Sequence, residues 1–108
     1  MNLTEYADAV DELMELAWEV ESQKRPSYTA GNADVLHNFK RDAISTGISP
    51  EQNWATHMLK QAAAIARWAQ NPTAEQSEAI ELRFADLLNY TKLGYALHKD
   101  MTNLRMPF

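Results

Sequence analysis

Two groups of side chains in the second half of the chain have the types and spacing to grip an anion. Lys60 and Arg67 stand seven apart, so on a helix they share a face. Arg83, Asp86, Asn89 and Tyr90 are spaced three, three and one apart, which makes one stripe of a later helix. Both groups interrupt apolar segments, and a charge buried there without a partner is costly. Arginine suits bidentate contacts to phosphate, and tyrosine packs on a base or ribose. The stretch "SQKRPSYTAGN", Ser22–Asn32, adds Lys24, Arg25 and Tyr28, and Asn38 adds a further polar contact. That stretch reads as a long loop, a lid bringing Lys24, Arg25 and Tyr28 to a ligand held by the helices, with Gly31 turning the chain into the next element. A purely structural reading stands beside this one. In it Arg83 pairs with Asp86, Lys60 and Arg67 reach solvent, and Tyr28 anchors an exposed basic loop.

Carboxylates offer a different chemistry. Glu12 and Glu15 lie three apart with Glu19 one turn on, a spacing that suits Mg²⁺ and equally suits a solvated helix face. His37, His57 and His98 show no i, i+4 pair, which argues against zinc. The sequence contains no glycine-rich phosphate loop and no Gly-x-Ser-x-Gly elbow. Trp18, Trp54 and Trp68 read as core or interface packing.

The elements that must position these groups are helical. Three glycines and four prolines in 108 residues, with no β-branched runs, leave little room for strands. A first helix starts at Asn2 or Thr4, where Asn2 and Glu5 have capping-box spacing, and carries Leu3, Tyr6, Val10, Leu13, Ala17 and Val20 on one face. Pro26 sets its end near Ser22. A second runs from Asn32 or Ala33 to Thr46 and stops at Gly47. "SPEQ" starts a third at Ser49–Pro50, ending at Asn71–Pro72. "TAEQ" gives a fourth the same start at Thr73. Its two apolar stripes make it the central helix, and Gly94 within it implies a close neighbour, since glycine there costs about 1 kcal/mol relative to alanine. Residues 100–108 form a tail.

The expected fold is an all-α antiparallel four-helix bundle, one domain spanning 1–108, forming a homo-oligomer of two or more copies. A chain of this size buries roughly two-thirds of its unfolded surface. The formal net charge of −5 argues against DNA or RNA polymers, which need a broad basic surface. "MNLTEYADAVDEL" has no cationic start and no apolar run, so neither a signal peptide nor a membrane span is read there, and a cytoplasmic protein is expected. There is no cysteine.

From Lys24 to Leu97 the chain carries "YTAGNADVLHNFKRDA", then "GISPEQNW", Lys60, Arg67 and "R..DL.NY". In these it resembles small phage-encoded helical proteins grouped with MazG-like nucleotide pyrophosphohydrolases and nucleotide-modification-associated domains. The resemblance implies a helical, commonly oligomeric, nucleotide-binding fold. It also implies Mg²⁺ held by Glu-x-x-Glu on one helix and Glu-x-x-Asp on a later one, with Glu12, Glu15 and Asp86 as the matching positions. The position three before Asp86 is Arg83 rather than Glu, an exchange that opposes a cation and attracts a phosphate. The expectation is therefore capture of a phosphorylated nucleotide or nucleotide-derived signal, without catalysis and without a cofactor, as in an anti-defence sponge. Lys60, Arg67 and Arg83 would take phosphates, Tyr28 and Tyr90 base or ribose, and Asn38, Asn89 and Asp86 polar contacts. The alternative is a Mg²⁺-dependent pyrophosphohydrolase. A third reading is a helical module that binds another protein.

Overall fold

Of the three helix starts encoded by residues three apart, two form as read. The computed structural model describes residues 1–29 and 33–105, apart from the side chains of 27–29, 104 and 105. The Ser49 hydroxyl accepts from the Gln52 amide at 3.1 Å, and the Gln52 side chain accepts from the Ser49 amide at 2.9 Å. With Pro50 in the first turn, this reciprocal cap launches α3, Pro50–Gln70. Asn2 Oδ1 likewise accepts from the Glu5 amide at 2.8 Å, opening α1, Leu3–Thr29. The shorter α2, His37–Thr46, ends on Gly47, whose φ of 76° is the left-handed conformation glycine adopts without strain. Last comes α4, Ile80–Arg105.

Four boundaries differ from the sequence reading. α1 does not stop near Ser22 but runs through Pro26 to Thr29. Residues 22–29 of the expected loop are therefore helix, and Ala30, Gly31 and Asn32 lie outside the described residues. Proline removes one helical hydrogen bond, but the residues just before it are tied down: Lys24 reaches α4, and Arg25 sits over the Trp18 ring at 5.9 Å. "TAEQ" starts no helix. Gln76 donates its side-chain amide to Ala74 O at 3.1 Å, and the helix begins only at Ile80. α2 begins at His37 rather than near Asn32, because the Asp34 carboxylate accepts from the Leu36 amide at 2.9 Å in a turn that precedes it. Residues 100–105 of the expected tail extend α4, and Met106–Phe108 lie outside the described residues.

The architecture is all-helical, with no strand among the described residues. As expected from its two stripes, α4 is central, packing against α3 on one side and α1 on the other. α2 lies on α3 and touches α1, while α1 and α3 do not meet among the described residues. Between α3 and α4, Trp54 meets Gly94, Gln61 meets Arg83, and Trp68 meets Phe84. Between α1 and α4, Asn89 bonds Ala17 and Lys92 bonds Glu21.

Two small cores result. Leu36, Phe39, Leu93 and Leu97 are buried at one end, with Trp54, Tyr90 and Met101 against them. Ala17, Val20 and Ala85 form the other, bordered by Leu13, Leu16, Leu82 and Leu88. Gly94 belongs to the first. A Cβ added there would fall inside the Trp54 ring, whose Nε1 donates to Tyr90 O at 2.6 Å. The close neighbour implied by that glycine is thus an indole edge laid on the α4 backbone.

Candidate functional site

The polar groups that the fold gathers sit where α1 crosses the middle of α4. Helical spacing places Asp86, Asn89 and Tyr90 on neighbouring positions of α4. Asp86 and Asn89 are 3% and 1% exposed, unusual for a carboxylate and an amide in a helix–helix seam. Lys24, carried there by the extended end of α1, places Nζ 3.0 Å from Asp86 Oδ1, and its own side chain is half-exposed. Asn89 Nδ2 donates to Ala17 O at 2.9 Å, whereas Asn89 Oδ1 is buried with no hydrogen-bond partner among the described residues. Burial pushes the Tyr90 hydroxyl above the usual tyrosine pKa, the Asp86 carboxylate adds to that shift, and Lys24 opposes it. One face of the Tyr90 ring stacks on His57 at 6.0 Å between centroids, and His57 in turn meets Phe39.

Lys24, Asp86, Asn89 and Tyr90 are thus brought together, and the remaining expected residues are not. Arg25 is exposed over Trp18. Tyr28 lies outside the residues whose side chains are described. Asn38 is half-buried on α2. Lys60 and Arg67 are exposed on α3 and form no ion pair among the described residues. Arg83 pairs with Glu78 at 3.2 Å and donates to Gln61 Oε1 at 3.3 Å, so its partner is not Asp86. The idea of three arginine and lysine side chains meeting in one hollow does not describe this arrangement. Lys24 takes the place given to Arg83, and no spacing rule could pair positions 62 apart.

The carboxylates named for Mg²⁺ are also separate. Glu12 and Glu15 are exposed on α1, Asp86 is buried against Lys24, and no three His, Asp or Glu side chains among the described residues are grouped to hold a metal. Glu12, Glu15 and Asp86 therefore do not form one donor set among the described residues. A half-open cavity of about 280 Å³ lies between α1 and α4, lined by Ala9, Glu12, Leu13, Leu16, Glu81 and Phe84. It has an apolar floor and two carboxylates, and contains none of the four gathered residues.

The site and fold define a small helical domain with a buried polar cluster on its central helix. Set against protein-family models, curated proteins and solved structures, the chain matches none. No described helix is long and apolar enough to cross a membrane.

Proposed function

We propose that the chain captures a phosphorylated nucleotide or nucleotide-derived molecule at the Lys24–Asp86–Asn89–Tyr90 cluster, holding it without turning it over. One observation carries the reading: a nearly fully buried carboxylate and amide lie one turn apart on α4, and the amide oxygen has no partner among the described residues. Such groups add little to stability. An unmet buried acceptor costs about 1–3 kcal/mol, and apolar replacements of similar volume are often as stable. Their chemistry suits a ligand that presents both donors and charge. The Asp86 carboxylate and Asn89 Oδ1 accept from ribose hydroxyls or base N–H groups, while the exposed Lys24 and Arg25 meet phosphate. Release of Lys24 from Asp86 toward the anion couples the two halves of the ligand. In this reading the protein works in the cytoplasm as a homo-oligomer, in keeping with the phage-like sequence resemblance.

Incubation with a nucleotide panel and Mg²⁺, followed by denaturation and mass analysis of what is released, tests it. Intact nucleotide from the wild type and none from Asn89→Leu is the expected result. Monophosphate with pyrophosphate would make the protein an enzyme, and no retained nucleotide at all would remove the reading.

A further inference from the structure

α1 carries an apolar face that none of the described residues covers. Leu3, Ala7, Val10, Met14 and Trp18 fall on one stripe of the helix, and all are exposed, Leu3 at 80% and Trp18 at 61%. Along one edge of the stripe run Asp8, Asp11 and Glu15. From Leu3 to Ser22 the helix bears seven acidic residues and no basic one. Of these, Glu21 alone is ion-paired among the described residues, to Lys92. The complementary surface lies on α3. There Leu59, Ala63 and Ala66 form an exposed stripe of mostly small residues, edged by Lys60 and Arg67, which have no ion pair among the described residues. Within one chain the two faces do not meet.

We propose that the acidic face of α1 docks on the basic face of α3 in a second copy of this chain. Three features match. Bulky side chains on α1 oppose alanines on α3, so the helices can approach closely. Asp8 and Glu15 are seven apart, as are Lys60 and Arg67, and each pair spans about 10.5 Å along its axis. Helical handedness puts the acidic edge of α1 and the basic edge of α3 on the same side only when the two helices run antiparallel, which fixes the orientation. Charges so placed steer association and set register. Two such contacts about a two-fold axis close a dimer, and head-to-tail repetition closes a ring. This contact is independent of the nucleotide reading.

The experiment is sedimentation velocity of the full chain over a concentration series, with charge reversals at exposed positions. The wild type self-associates. D8K/E15K and K60E/R67E each weaken association about tenfold or more, and an equimolar mixture of the two variants restores it, because acidic α3 then meets basic α1. Circular dichroism confirms that each variant folds. A monomeric wild type overturns the proposal. So does loss of association in D8K/E15K without loss in K60E/R67E, which would assign the α1 stripe to a different partner, as would failure of the mixture to recover.

Discussion

The two ends of α4 are built on different principles. Around Leu93 and Leu97 the helix meets α2 and α3 through buried apolar side chains, an indole laid over Gly94, and the reciprocal cap that starts α3 nearby. Around Asp86 and Asn89 it meets α1 through small residues and a polar cluster, while much of α1 shows apolar side chains to solvent. The first end holds the bulkier buried side chains. The second keeps groups whose burial is costly and surfaces that lack covering, which is what a molecule retains when something outside the chain completes it.

Truncation at the first end gives the largest effects. Leu97 is fully buried, and Leu97→Ala should cost about 2–5 kcal/mol in denaturant unfolding, since the cavity adds to the lost transfer energy. Gly94→Ala gains roughly 1 kcal/mol in helix propensity but drives a methyl into the Trp54 ring. A net loss of about 1–3 kcal/mol is expected, with altered tryptophan fluorescence. A neutral result at either position would erase the contrast between the ends.

Along α1 the contrast sharpens within one residue type. Val20 is buried and Val10 is 37% exposed, so Val20→Ala should cost about 2 kcal/mol while Val10→Ala stays within about 0.5 kcal/mol in the isolated monomer. Lys24→Met should be more destabilising than Lys92→Met, because it strands the Asp86 carboxylate at 3% exposure and not the better-hydrated Glu21 at 17%.

How much of this could be read beforehand follows from the range of each signal. The α3 cap, the Gly47 stop and the Asn2 start depend on atoms within a few residues, and they were legible. Gly94 was legible as a glycine needing a neighbour, although nothing local named Trp54. The course of the chain past Pro26 was not, because the ties that hold it, Lys24 to Asp86 and Arg25 to Trp18, include one made 62 residues away. "TAEQ" shows the converse: the spacing of a cap is present, and Gln76 spends its amide on Ala74 instead. At the site, Asp86, Asn89 and Tyr90 were recognisable as one stripe. Their burial, and the choice of Lys24 over Arg83 as partner, come from tertiary packing alone.

The smallest effects are those of pH. The raised Tyr90 pKa favours the neutral phenol in the folded state. The associated stability is fully present below the ordinary value of 10.0 and is lost as pH rises through the folded value. Asp86→Asn should lower the phenol's titration in ultraviolet absorbance without returning it to 10.0, since burial is the larger cause. Asp34 is held below 3.8 mainly by the Lys40 hydrogen bond, so its contribution is present above that value and lost as pH falls through the depressed pKa. Lys40, raised above 10.5 by Asp100 and then Asp34, gives a contribution lost only as pH rises through its folded value. All three are partly exposed, so acid unfolding of Lys40→Met should differ only slightly from the wild type.

Thermal unfolding of the wild type and Asn89→Leu, each with and without a saturating nucleotide panel, tests the central claim most directly. A ligand at a hundred times its Kd adds about 2.7 kcal/mol, which raises the Tm of a domain this size by roughly 10 °C. The account predicts that rise for the wild type and none for an equally well folded Asn89→Leu. Equal shifts in both proteins, or no shift in the wild type, would contradict it.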